Sequence, residues 1–173
     1  MGLEKEIQTN GFRNERHKGI LNIFYTYYYL VNQVNDGLKP FDVTRQQYNV
    51  LRILRGQYPN QVAIYTIRER MLDKMSDASR IVERLRLKGL VIRESAKKDK
   101  RASAVTITEQ GLNLLELMEP KMEQMDFMMT NLNEKEIRHL NALLDKIREN
   151  HVQHIPESEG QTGKSLTVEK LVF

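Results

Sequence analysis

Arg80, Arg84 and Arg86 stand on a stretch, Asp77 to Lys88, that reads as a helix, with Ser76 and Ser79 at its start. A few residues on, Lys97-Lys98-Asp99-Lys100-Arg101 forms a charged cluster. Guanidinium and ammonium groups at this density hold phosphates, and an arginine fork matches the O6/N7 edge of guanine. Arg80 or Arg84 could take guanine bidentately, and Ser76 and Ser79 could bond a base or a phosphate. Asp77 either accepts from a cytosine amine or simply favours the positive end of the helix. Charge is distributed to match. Residues 65–105 hold 12 basic against 6 acidic side chains, and residues 106–173 hold 7 against 12, within a net charge of +4. A polyanion would dock on the basic segment. The plain alternative is a solvated charged face.

Other chemistry is not signalled. No nucleophile has a linked histidine and acid, and there is no glycine-rich phosphate loop or paired carboxylate site, so an enzyme is not expected. The 173 residues include no cysteine, which excludes disulfides, thiolate metal sites and thiol redox sensing. His151 and His154 have a metal-binding spacing but no evident third ligand, so no metal or other cofactor is expected. The composition, 40% hydrophobic and 29% charged, is that of an ordinary soluble protein. No apolar run approaches the ~20 residues of a membrane span. The first residues lack the apolar core of a signal peptide, so a cytoplasmic protein is expected.

The elements that must position these groups follow from periodicity and caps. Ile20, Phe24, Tyr27, Val31 and Val34 make one stripe on a helix from Asn14 to about Asn35, ended by Asp36-Gly37 and Pro40. Thr44 and Gln47 form a capping box opening a second helix, with Val50, Leu51 and Leu54 inward and Gly56 as its stop. A second capping box, Thr66 and Glu69, opens a short helix ending near Leu72, and Ser76 caps the basic one. In that basic helix Ile81, Val82 and Leu85 pack inward, while Asp77, Ala78, Ser79, Arg80 and Arg84 face outward. So short a connection is helix-turn-helix spacing. Leu90–Arg93 and Ala104–Ile107 read as hairpin strands around the charged tip. Thr108 caps a long helix over 109–130 with the stripe Leu115, Met118, Met122, Met125, Met129, kinked at Pro120. That methionine stripe suits packing better than copper binding. Asn133 and Glu136 cap a last helix running to about His154, with Ile137, Leu140, Leu144 and Ile147 as its stripe. Residues 155–173 read as a tail, flexible after Pro156 and apolar enough at Leu166, Val168 and Leu171–Phe173 to dock on the body or a neighbour. The fold class is therefore mainly α with a small β-hairpin wing, a winged helix-turn-helix with further helices at each end, which reads DNA with one helix and a hairpin beside it.

The run Leu85-Arg86-Leu87-Lys88-Gly89-Leu90-Val91, then Asp99-Lys100-Arg101, then Ile107-Thr108-Glu109-Gln110-Gly111, resembles the MarR family of transcriptional regulators, with Ile107 where leucine is commoner. The resemblance covers residues 14–154 as one domain. Residues 44–108 form its winged helix, and 14–36 and 109–154 its dimerisation helices. It implies a two-fold homodimer over a pseudo-palindromic operator in double-stranded DNA. It also implies that Arg101 enters the minor groove, that Asp99 braces the wing, and that Lys97, Lys98 and Lys100 add phosphate contacts. The alternative for Asp99 and Arg101 is a hairpin-tip salt bridge. Family members often bind small aromatic effectors between the dimerisation helices and the winged helix. Tyr25, Tyr28 and Tyr29, beside Tyr27 on the first helix, would suit such a ligand, and core packing is the alternative.

The main reading is thus a sequence-specific, ligand-responsive repressor. The competing readings are a winged helix used as a protein–protein module and a nonspecific architectural DNA binder. Salt-dependent retention on duplex DNA separates the protein-binding module from the DNA binders, because phosphate contacts release counterions. The architectural binder would hardly distinguish one sequence from another.

Overall fold

The computed structural model describes residues 2–96 and 99–149, which fall into two units divided after Asn131. The first unit opens with a single turn, α1 (Leu3–Glu6), and a long helix, α2 (Glu15–Leu38). The Asn14 side chain caps α2 by accepting from the His17 N–H at 2.9 Å. Asp36-Gly37 does not end α2, as the sequence suggested. The helix continues to Leu38, which is buried with Val43, Met118 and Met122 in a small core. Burial of Leu38 outweighs the usual breaking tendency of glycine. The bare Gly37 also leaves room, since a Cβ there would lie 3.3 Å from the Met122 methyl. Pro40 then occupies a 3-10 turn, Lys39–Phe41.

The winged helix is built from α3 (Arg45–Arg55), β1 (Val62–Ala63), α4 (Ile64–Arg70), α5 (Ala78–Leu87), β2 (Val91–Ala96) and β3 (Asp99–Ile107). Both halves of the Thr44/Gln47 capping box form, and Gly56 is the C-cap. Val50, Leu51, Leu54, Val82, Leu85 and Val105 are fully buried together, so the two helices and the sheet share one core. The sheet has three antiparallel strands in the order β1-β3-β2. Its edge strand β1 pairs Val62 with Val105 and Ala63 with Ala104, a two-residue strand too short to show as periodicity. The hairpin is also longer than expected, with pairing from Val91↔Ile107 out to Ala96↔Asp99.

That added strand explains one wrong helix start. α4 begins at Ile64, directly after β1, and the Thr66/Glu69 capping box does not form. Strand pairing fixes the chain before Thr66 is reached, so Thr66 lies inside the helix. The cap of α5 is likewise one residue later than expected. Asp77, not Ser76, accepts from the Arg80 N–H at 3.1 Å. Ala78 is buried, not outward-facing, because the first turn of α5 rests on the core.

α5 ends in a Schellman arrangement, with Gly89 N–H donating to Arg86 O at 2.9 Å and Leu90 N–H to Leu85 O at 3.0 Å. Gly89 has φ +72°, which favours glycine. Thr108 returns to the same place. Its hydroxyl donates to Gly89 O at 2.8 Å and accepts from Gly111 N–H at 3.1 Å, capping α6 (Glu109–Glu123). A Cβ on Gly111 would lie 2.4 Å from Leu90 O. These contacts are the physical content of the Lys-Gly-Leu-Val and Thr-x-x-Gly motifs. α6 passes through Pro120 to Glu123 and then tightens into a 3-10 segment, Gln124–Met129, instead of continuing as one α-helix to 130.

The second unit contains α7 (Glu134–Arg148), whose Asn133/Glu136 capping box is present. Leu143 and Ile147 are exposed on it. His151, His154 and the 155–173 tail lie outside the described residues.

Candidate nucleic-acid interface

The turn joining α4 to α5 is organised by Asp73. Its carboxylate accepts from the Met75 N–H at 3.0 Å and from the Ser76 hydroxyl at 2.7 Å. The Ser76 bond, followed by the Met75 N–H, holds the Asp73 carboxyl below its usual range. Leu72 N–H donates to Asn49 Oδ1 at 3.0 Å, which ties the turn back to α3. Between α4, this turn and the start of α5 lies a groove of about 630 Å³, and Ser76, Asp77 and Ser79 line it together. Tyr65, Arg68, Lys74 and Met75 line it too, with Arg93 of β2 at its side. The Arg68 guanidinium lies 5.7 Å from the Tyr65 ring centre, within cation–π range. The Tyr65 hydroxyl bonds Glu69, which raises its pKa.

The arginines of α5 are not equivalent. Arg80 is exposed and lies 3.3 Å from Asp77, an exposed pair that water weakens. Arg84 is exposed, and its side chain has no hydrogen-bond partner among the described residues. Arg86 is held by both carboxylate oxygens of Glu83, at 2.8 and 3.0 Å. That fork lowers the Glu83 pKa and raises that of Arg86. Arg80 and Arg84 can therefore reach an outside anion without breaking a strong pair, whereas Arg86 cannot.

A second cavity, of about 430 Å³, lies where α2 and α3 meet the α4–α5 turn, lined among others by Tyr27, Arg45, Asn49, Leu72 and Lys74. The Arg45 guanidinium donates to the Tyr27 hydroxyl at 2.9 Å. Tyr28 packs edge-on against Tyr27, ring centres 5.5 Å apart. Tyr25 donates to Glu6 at 3.0 Å, which raises its pKa.

Residues 41–102 match the MarR family model. The structure is similar to that of BpsR from Bordetella bronchiseptica, with 26% identity and a TM-score of 0.64 over 75% of this chain and 96% of that one. It is similar to a mutant of Escherichia coli MarR complexed with operator DNA, with 25% identity and a TM-score of 0.67 over 80% and 99% of the two chains. A MarR transcription factor from Planctomyces limnophilus is 28% identical, with a TM-score of 0.58 over 80% and 96%. A search of curated protein sequences finds no match. Residues 41–102 are thus a MarR-type winged helix. The coarse function follows with the family, a DNA-binding transcriptional regulator.

Of the MarR-type contacts expected from sequence, the fold brings Ser76, Asp77 and Ser79 into one groove and leaves Arg80 and Arg84 exposed on α5. Asp99, Lys100 and Arg101 belong to β3, at the far end of the hairpin. Lys97 and Lys98 lie outside the described residues. The sequence reading missed Tyr65, Arg68, Lys74, Met75 and Arg93. Arg68 and Lys74 were visible as charges in the basic segment, but only the fold turns them toward Ser76. Tyr25, Tyr28 and Tyr29 are exposed on α2, and the tyrosine that lines the second cavity is Tyr27. No helix among the described residues is long and apolar enough to cross a membrane, and they contain no group of three metal-ligating side chains.

Proposed function

We propose that the protein is a homodimeric repressor. In this reading each protomer lays α5 in a major groove of a pseudo-palindromic operator, and the grip on DNA responds to a small aromatic ligand. The observation that carries it is the groove between α4 and α5, where Ser76 and Ser79 stand beside Arg68 and Lys74. Hydroxyls can reach base edges there while the cations hold phosphates on either side. Arg80 and Arg84 are the side chains available to guanine. Asp99, Lys100 and Arg101, at the start of β3, would follow the backbone, with Arg101 entering the minor groove and Lys97 and Lys98 adding phosphate contacts. The related E. coli protein was solved with operator DNA, which supports this docking.

The dimer reading rests on α2. Ile20, Ile23, Phe24, Tyr28 and Tyr29 are all exposed on it, an apolar and aromatic surface of the kind a self-complementary interface covers. α7, taken by itself, also exposes Leu143 and Ile147. The ligand reading rests on the Tyr27–Arg45 cavity, where an aromatic ring would meet Tyr27 and a carboxylate would meet Arg45 or Lys74. Tyr28 would act there by holding the Tyr27 ring, with Tyr25 and Tyr29 on the same helix. DNA binding of the related BpsR is regulated by 6-hydroxynicotinic acid, a ligand of this chemistry.

The test is operator selection from genomic DNA, followed by binding across a salt series. A steep loss of affinity with salt, strongest on selected sequences, is expected. Salt-independent or sequence-blind binding overturns the repressor reading. Sedimentation at micromolar concentration should give about twice 20.3 kDa. Aromatic acids should weaken the complex, and Tyr27→Ala should abolish that response. A wild-type response retained in Tyr27→Ala removes this cavity as the ligand site.

A further inference from the structure

We infer that Met75 reads a base: its thioether side chain packs on the 5-methyl group of a thymine in the major groove, so that the protein prefers thymine at one position in each half-site. This rests on the DNA-binding reading above and adds a residue that no charge or hydrogen-bond argument selects. Met75 is 93% exposed, the most exposed large apolar side chain among the described residues. A single exposed apolar residue needs no explanation by itself. Its place supplies one. Met75 lies directly before Ser76 and lines the same groove as Ser76 and Ser79, at the helix start that a helix-turn-helix presents to base edges.

The backbone beneath it is fixed. Met75 N–H and the Ser76 hydroxyl both bond Asp73, so the side chain projects from a defined turn. Arg68 and Lys74 line the same groove and suit phosphates, which leaves Met75 as its most exposed apolar side chain. The thymine methyl is the apolar feature that a base pair offers in the major groove. An unbranched, polarizable thioether adapts to such a small convex group without demanding one geometry.

The experiment replaces each thymine of the selected operator, one at a time, by deoxyuridine, which removes the methyl alone. At one position per half-site the wild-type protein should lose about fourfold in affinity, the worth of one buried methyl-sized group. Met75→Ala and Met75→Gln should bind the thymine and deoxyuridine duplexes equally at that position, with unchanged melting temperature. If no deoxyuridine position weakens the wild type, or if both variants discriminate as the wild type does, the inference is overturned while DNA binding stands. Absence of any salt-dependent DNA binding overturns both readings together.

Discussion

α2 and α5 both carry apolar side chains, and they do opposite things with them. α5 buries Ala78, Val82 and Leu85 within its own chain and turns its arginines outward. α2 buries only Gly37 and Leu38, at its end, and leaves Ile20, Tyr27, Tyr28 and Tyr29 about half exposed or more. A winged-helix core is small, and α3, α4, α5, Leu115 of α6 and the three strands suffice to close it. What α2 adds is surface that this core cannot cover. Apolar side chains therefore close the core in one helix and are left open in the other.

The strongest way to break that contrast is to treat both stripes alike. Leu85→Ala removes a fully buried side chain from the centre of the core and should cost about 2–5 kcal/mol. Urea denaturation should show it, with DNA binding failing alongside. Ile20→Glu places a charge on a residue that is 53% exposed. It should leave the winged helix folded but shift sedimentation from dimer to monomer, and weaken operator binding because only one half-site is then held. If Ile20→Glu instead unfolds the chain as Leu85→Ala does, α2 packs within its own protomer and the contrast is wrong.

A finer contrast lies within α5. Arg84→Ala should cost on the order of 1–3 kcal/mol of operator binding with no change in melting temperature. Arg86→Ala should cost clearly less, because Glu83 already occupies both of its bonds. Equal losses would mean that the Glu83 fork opens on DNA. Arg101→Ala tests the hairpin end in the same assay, and its loss should depend on the sequence beside the site, since a narrow minor groove is itself sequence-dependent.

How much of this was legible without coordinates follows from the range of each interaction. The caps at Thr44, Thr108 and Asn133 were readable because each is closed within three residues. The basic helix, its glycine stop and the hairpin were readable for the same reason. What failed was set from a distance. The start of α4 depends on β1 meeting β3 more than 40 residues away, at Val62↔Val105. The passage of α2 through Gly37 depends on the burial of Leu38 against Met118 and Met122, far along the chain. The rest of the groove was out of reach for the same reason. Ser76 and Ser79 could be named from α5 alone, but Arg68 and Tyr65 reach it only through the packing of α4. Beside α2 the tyrosine that lines the cavity is Tyr27, since only the orientation of the folded helix turns it toward Arg45.

The smallest expected effect concerns the join between the winged helix and α6. The Arg55 guanidinium donates to the Glu119 carboxylate at 2.7 Å, tying α3 to α6. That bond, and then the charge of Arg55, hold the Glu119 carboxyl below its usual value. The sign follows by linkage. A carboxyl whose pKa is lower in the folded protein contributes stability that is present above its unfolded pKa and lost as pH falls through the folded one. Both side chains are partly open to water, so the contribution is small and weakens with salt. Melting temperature should therefore be slightly higher for the wild type than for Glu119→Gln at neutral pH. The two curves should converge as the solution is acidified below the ordinary glutamate range. They should also approach each other at neutral pH in high salt. A difference that persists unchanged in acid would show that Glu119 acts through packing or hydrogen bonding of its neutral form. The α3–α6 join would then be no electrostatic one, and Arg55→Gln would be expected to leave the pH dependence of stability where it is in the wild type.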